Sequence, residues 1–366
     1  MTGKMLNPLP AIAFLSAVVI GGTSMFALPK ESWSLAERRP LAESPAATTE
    51  NIMNGRFFTD LDNWMADHFR NRETFRHLRV LFQTGIINET EYNGFVKYKG
   101  SLISLQKKVN EASIDYASER FALVWKKYLQ SSEGRIFQTV VPDKSYFLRS
   151  EGYPVLDPDL MDRLYAESLP FATAISIRDS LTLDDYYLTD SHWKQENLIG
   201  TAKHILNAMG RDTAALDGGL TAKYLADFLG VYAGQSAYAP DPEPISALIG
   251  GYLDECRVID METRAPIAFY DIENCDERDL YTLFLGGGKG LIRIDNPNAP
   301  EGSLVLFRDS YGSAMAPLLA SAYRTVYVVD LRYAHPEVLG RYIRFDGQDV
   351  LFMFSETLLN NSQGLR

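Results

Sequence analysis

Several residue types are scarce in this chain, and each scarcity narrows its function. Only two cysteines occur in 366 residues, Cys256 and Cys275, and neither has the motif context of a nucleophile or a metal ligand. The five histidines form no cluster of the kind that holds a metal ion. Basic residues are outnumbered, 36 Lys and Arg against 47 Asp and Glu, for a formal net charge of -11. That balance excludes wholesale binding to nucleic acid or anionic lipid, while leaving room for a local basic groove. No internal repeat and no low-complexity tract is present. Gly286-Gly287-Gly288-Lys289 lacks the full spacing of a phosphate loop and reads as a flexible turn.

One long apolar run stands out against this background. No charged residue lies between Lys4 and Lys30. Residues 9–28 make roughly 20 positions, about 30 Å as a helix, which is enough to cross a bilayer. Pro8 and Pro10 sit at its start, where a helix tolerates them. Two readings are open, an uncleaved anchor and a cleaved signal peptide. Ala27 could serve as a cleavage residue, but Met25 is a poor partner two positions earlier, so the anchor is favoured. Lys4 then marks a short cytoplasmic tail, and in either case the bulk of the chain lies outside the cytoplasm, membrane-attached or secreted.

The remaining length, with 46% hydrophobic and 23% charged residues, suits one large α/β domain plus an appendage. The expected organisation is a membrane segment over 1–30, a polar linker over 31–56, a helical segment over 57–92 and an α/β domain over 93–366. Phe57, Phe58, Leu61, Trp64, Met65 and Phe69 follow helical spacing and read as a packing face. Residues 96–105 read as a short β segment turned by Gly100, and 112–129 as helix. Strands are expected at 136–141 and 186–188, strand or extended chain at 171–177, and a helix from about Trp193 to Met209. Residues 215–295 read as a β-rich insertion in which two β runs bracketed by Cys256 and Cys275 could bring the thiols together; free thiols are the alternative. The most regular unit is last. A strand at 303–307, a helix at 313–323 and a strand at 325–329 form a βαβ unit and argue for a parallel sheet, with 350–354 as a final strand.

Two short stretches carry the chemistry. Arg308-Asp309-Ser310-Tyr311-Gly312 lies between a strand and a helix, where open α/β sheets bind ligands and where free N–H groups await an anion. Ser310 is either a nucleophile there or a helix cap. Asp190-Ser191-His192-Trp193 lies at the mouth of another helix. His192 could take a proton from Ser310 while Asp190 holds its tautomer. The bland alternative is a capping Asp beside an exposed His. A rival chemistry has Asp190, His192 and Asp309 ligating a divalent cation, but further ligands are wanting, so no metal and no cofactor is expected. His68, His77, His204 and His335 lack a comparable acidic neighbour.

Those two stretches, with Val329-Asp330-Leu331-Arg332-Tyr333, resemble the DHHW proteins, part of the wider SGNH-hydrolase-like group related to alginate O-acetyltransferases. Ala66-Asp67-His68-Phe69-Arg70-Asn71-Arg72 is similar to that family's membrane-proximal helix, and Val141-Pro142-Asp143-Lys144 to its first core strand. The resemblance implies an SGNH-like parallel sheet flanked by helices, with Ser310 as nucleophile, His192 as general base, Asp190 as its orienter and the Ser310 backbone N–H as one oxyanion donor. It implies acetyl transfer to an exported polysaccharide, with a membrane-bound acyltransferase as donor partner. Lys144, Arg332 and Tyr311 become candidates for substrate contact; Lys144 and Arg332 read equally as surface ion pairs. A glycan acetyl esterase of the same fold, or a non-catalytic glycan-binding component, is the alternative. Three positions depart from the pattern: Ser191 replaces a second His, Arg308 stands where a Gly usually precedes Asp-Ser, and Gly288 stands where Asn often follows paired glycines.

Overall fold

The computed structural model describes residues 31–366 apart from Glu277, together with Leu9, Ile12, Leu15, Ser16 and Val19. The expected membrane helix over 9–28 therefore lies, for most of its length, outside the described residues. Among the described residues no helix is long and apolar enough to cross a membrane. The chain divides into two compact units, residues 1–93 with 233–239, and residues 94–232 with 240–366.

In the smaller unit, α1 (Arg56–His68) and α2 (Arg72–Gly85) meet at a sharp break. Phe69 is extended and Asn71 adopts the left-handed region at φ 57°. Ion pairing holds this corner: the Asp67 carboxylate accepts from both arms of Arg39 at 2.8 and 2.6 Å and from the Ala42 amide at 2.9 Å. Burial would push that carboxyl up, but the Arg39 hydrogen bond outweighs it and holds the group down at about 2. The apolar stripe of α1 is not the packing face its spacing predicts. Trp64 is buried, whereas Phe58, Met65 and Phe69 are exposed. Periodicity reports a face and not what covers it.

The larger unit is built on one sheet. Its preceding hairpin, Phe95–Tyr98 and Ser101–Ser104, turns at Gly100 with φ 85°. The sheet strands are β1 (Ile136–Val141), β2 (Thr173–Ala174), β3 (Arg257–Asp260), β4 (Pro266–Ile267), β5 (Leu291–Asp295), β6 (Ser303–Arg308), β7 (Thr325–Val329) and β8 (Asp349–Ser355). They lie in the order β4-β3-β5-β7-β6-β8-β1-β2. Pairings from β7 across to β2 are parallel, and β5, β3 and β4 extend the sheet antiparallel. Residues 215–295 thus supply three strands of the main sheet, as well as a separate ribbon, Thr221–Phe228 against Glu243–Ile249. Cys256 and Cys275 are not joined in a disulfide, and burial raises Cys256 to about 12.

Strand alternation divides the core into two layers. Leu304, Leu306, Val326, Val328, Leu351 and Met353 join α5 (Ile199–Ala208) and α6 (Ser310–Leu319) on one face. Val305, Phe307, Val350, Phe352 and Phe354 join α3 (Glu111–Val124) and α4 (Pro158–Ser168) on the other. Helix α6 begins at Ser310 rather than 313, because Asp309 caps it by accepting the Tyr311 amide at 3.1 Å. Pro317 consequently sits in the helix interior, where it removes an amide and shortens the helix, which tightens into a 3-10 turn at Ala320–Ala322.

At the opposite end of β8 from the site, Asp349 ties distant segments together. It accepts from Arg135 at 3.0 and 2.8 Å, from Arg211 at 2.9 and 2.7 Å, and from the Tyr323 hydroxyl at 2.8 Å. Asp349→Ala is expected to lower unfolding stability by about 2 kcal/mol in urea titration. That is less than the roughly 3–5 kcal/mol of a fully buried pair, because both arginines can turn to water.

Candidate active site

The C-terminal ends of β6 and β1 point the chain into the site. After β6, Asp309 uses its carboxylate twice over. One oxygen caps α6, and the other accepts from the Ser355 amide at 2.8 Å and the Ser355 hydroxyl at 2.6 Å. Ser310 is then the first residue of the helix and not its cap, so its hydroxyl is left for another partner. Its amide has no intrahelical acceptor by position. The same carboxylate engagement takes Asp309 out of any shared cation site with Asp190 and His192.

That partner of Ser310 is His192. Its Nε2 lies 2.7 Å from the Ser310 Oγ, and its Nδ1 lies 2.6 Å from Oδ1 of Asp190. Asp190 is fully buried and is not a helix cap, since α5 begins nine residues later at Ile199. Its Oδ2 accepts the Val231 amide at 3.0 Å, and its Oδ1 also accepts the His192 amide at 3.1 Å. An Nδ1–H donating to Asp190 leaves Nε2 as an acceptor for the serine proton, the tautomer a general base needs. Tyr281 covers the imidazole, with ring centroids 3.8 Å apart and planes 11° from parallel. Sequence reasoning missed Tyr281; it lies in a 3-10 turn, Leu280–Leu283, with no motif around it.

Residues 190–194 form an irregular loop and Gln195–Asn197 a 3-10 turn, so α5 starts at Ile199 and not at the expected Trp193. Side chains lock this loop onto α6. Trp193 Nε1 donates to the Tyr311 carbonyl at 3.1 Å, and the Tyr311 hydroxyl donates to the Ser191 carbonyl at 2.8 Å. The Gln195 amide donates to the Ala314 carbonyl at 2.9 Å and accepts from the Leu248 N–H at 2.8 Å.

Three expected substrate contacts lie elsewhere or are engaged. Tyr311 is 3% exposed, with its ring tilted against His192 at 4.8 Å and its hydroxyl on Ser191. It packs the site and does not reach out of it. Lys144 is wholly buried and forms no surface ion pair; its Nζ donates to the carbonyls of Leu102, Tyr187 and Asp190 at 2.6, 2.7 and 2.9 Å. A Lys-bearing turn after a strand carries no mark of burial, which comes from backbone far away in sequence. Arg332 remains partly exposed, but donates to Asp330 through Nε at 3.0 Å and Nη2 at 2.7 Å. Asp330 also accepts from Arg308 at 3.0 Å, so the Arg308 departure is a buried ion pair beneath Gly312. The Gly286-Gly287 turn has φ 66° and 67°, and Lys289 binds Asp260 at 2.8 Å.

Two predictions follow from the crowding and charge around Asp190. A Cβ on Gly230 would fall 2.3 Å from the Thr189 carbonyl oxygen and 2.4 Å from the Asp190 Cβ. Gly230→Ala should cost about 1–3 kcal/mol by thermal unfolding and displace Asp190. Burial draws the Lys144 ammonium down from 10.5 to about 7, against the pull of Asp190, Glu243 and Asp143, and with Lys194 adding to the decrease. Between these values the unfolded chain binds the extra proton, so the Lys144 contribution to stability improves as pH rises from about 7 towards 10.5. Urea titrations at neutral and alkaline pH should show wild type gaining relative to Lys144→Met across that window.

Comparison with known proteins agrees with this architecture. Residues 176–329 match the family model described as DHHW protein, a span that includes Asp190, His192 and Ser310. A crystal structure of a DHHW family protein from Eubacterium siraeum DSM 15702 has 21% identity and a TM-score of 0.56, covering 75% of this chain and 95% of that one. Bacillus cereus PatB1, solved with a sulfonyl adduct, has 17% identity and a TM-score of 0.55, covering 72% and 95%. The O-acetyltransferase domain of Pseudomonas putida AlgJ is fainter, with 13% identity and a TM-score of 0.41, covering 73% and 92%. No curated protein matches the chain. At these identities the likeness to the first two structures speaks for the fold alone.

Proposed function

From a chain whose Asp190-Ser191-His192-Trp193 stretch lies within the DHHW family match and which sets Ser310, His192 and Asp190 in one hydrogen-bonded line, we propose an O-acetyltransferase that works through an acyl-serine. The observation that carries this reading is the pair of contacts on one imidazole, 2.7 Å to Ser310 and 2.6 Å to Asp190. Ser310 Oγ attacks the acetyl carbonyl as His192 Nε2 takes its proton, and Asp190 stabilises the imidazolium that forms. The helix start of α6 supplies the Ser310 N–H to the developing oxyanion. Collapse expels the donor's leaving group with the proton from His192 and leaves acetyl-Ser310. His192 then deprotonates an acceptor hydroxyl, which attacks the ester and regenerates the serine.

The acceptor class rests on the family resemblance: a cell-surface or secreted polysaccharide, with a membrane-bound acyltransferase as the acetyl source. Location outside the cytoplasm and attachment to the membrane rest on the uncharged run over residues 9–28.

Full-length protein in detergent, given an activated acetyl ester, is expected to release a burst of leaving group stoichiometric with enzyme. Ser310→Ala should abolish the burst, and Asp190→Asn should slow acylation by about 10²–10⁴-fold. With acetyl donor and glycan together, acetylated glycan supports transfer; acetate release alone would reject it in favour of hydrolysis.

A further inference from the structure

The segment from Tyr187 to Asp190 leads directly into the triad, yet belongs to no strand. An isolated bridge between Tyr186 and Trp193 flanks it on both sides. Some of its backbone groups pair with backbone, the Tyr187 amide donating to the His192 carbonyl and the Thr189 carbonyl accepting the Tyr232 amide, each at 3.0 Å, and others pair with charges. On the carbonyl side, the Lys144 ammonium spends its three N–H bonds on Leu102, Tyr187 and Asp190 at 2.6, 2.7 and 2.9 Å. The Leu188 carbonyl, 3.4 Å from the same Nζ, accepts the Leu102 amide at 2.7 Å. On the amide side, the Glu243 carboxylate accepts Leu188 N–H at 2.8 Å, Thr189 N–H at 2.7 Å and the Thr189 hydroxyl at 2.8 Å. That hydroxyl in turn accepts the Gly230 amide at 2.8 Å, next to Val231, whose amide binds the Asp190 carboxylate.

Lys144 and Glu243 are buried ionisable groups that spend their bonds on the backbone between them and not on each other. Such burial is costly and adds little stability compared with an apolar filling. What it does supply is position. Charge-assisted bonds from both sides leave the segment one register and one orientation. The ammonium has a bond for each of three carbonyls, whereas an uncharged isostere would orphan all three.

We propose that Lys144 and Glu243 are positioning residues that clamp the backbone of residues 187–190 between opposite charges and thereby aim Asp190 at His192. The role in catalysis rests on the reading of Asp190 as the acid partner of the imidazole; the clamp itself does not.

The test compares the wild-type protein with Lys144→Met, Glu243→Gln and the milder Thr189→Val at pH 6, below the value of about 7 to which burial draws Lys144, so that the ammonium is present. Amide hydrogen exchange is followed by mass spectrometry, and the rate of Ser310 labelling by a sulfonyl fluoride is measured alongside. The clamp requires exchange within 186–193 to rise about tenfold or more in both charge variants, and about threefold in Thr189→Val. Protection in β6 and β8 should be unchanged. The positioning role requires Ser310 labelling to slow at least tenfold in the same charge variants. Unchanged protection in folded variants overturns the clamp, whatever the enzyme does. Lost protection with undiminished labelling overturns the positioning role. If the charge variants do not fold, Thr189→Val decides, since wild-type exchange in it rejects the clamp. Failure of wild-type Ser310 to label would instead count against the proposed acyl-serine chemistry and leave the exchange result to stand alone.

Discussion

A single hydrogen bond, 2.7 Å from His192 to Ser310, joins segments 118 residues apart, and the surrounding architecture serves to keep it. One end is a helix start fixed by the cap of Asp309. The other is a loop whose side chains grip that same helix through Trp193, Gln195 and Tyr311. A hydrogen bond between two surface segments would be worth about 1 kcal/mol and would exchange freely with water. Here both partners are held by groups that cannot move without exposing buried polar atoms, so the contact is preorganised and not merely available.

Buried charge does most of that holding. Asp309, Glu243, Lys144, Asp190 and Asp330 are all nearly or wholly inaccessible, and each is satisfied by backbone or by a fixed neighbour. Regular strands and helices deliver the chain to the edge of the sheet; ionised side chains then organise the irregular backbone beyond it. This division explains why residues 186–188, with their β-forming composition, are not a strand. The Leu188 amide is committed to Glu243 and the Tyr187 carbonyl to Lys144, while the Tyr187 amide and the Leu188 carbonyl pair with His192 and Leu102 of two different segments. It also explains why Tyr281 and Tyr311 surround the imidazole, since aromatic walls keep water from competing for these bonds.

Much of the framework was legible. The apolar run of β6, the helix after it and the run of β7 each have the length and composition of a buried βαβ unit. Asp190, His192 and Ser310 could be singled out because acid, imidazole and hydroxyl sit at element boundaries, where strain and free N–H groups favour chemistry. Lys144 and Tyr311 misled for a common reason. A polar side chain beside a site suggests contact with substrate, and nothing local says that distant carbonyls will enclose it. The α1 stripe misled in the opposite sense, because helical spacing of Phe58, Met65 and Phe69 says which side is apolar and not whether anything lies against it.

By itself the amino-acid order determined the strand, helix and strand of the β6–α6–β7 unit, the apolar side of each element and the chemical kinds at the two loops, because these depend on short-range periodicity and local backbone preference. Only the tertiary structure decided that the helix cap falls to Asp309 and leaves Ser310 free, that β3, β4 and β5 join the main sheet, and that a lysine and a glutamate share one stretch of backbone. The last of these turns on hydrogen-bond partners 46 and 54 residues apart, and the cost of leaving a buried polar group unpaired selects among such arrangements where no local rule can.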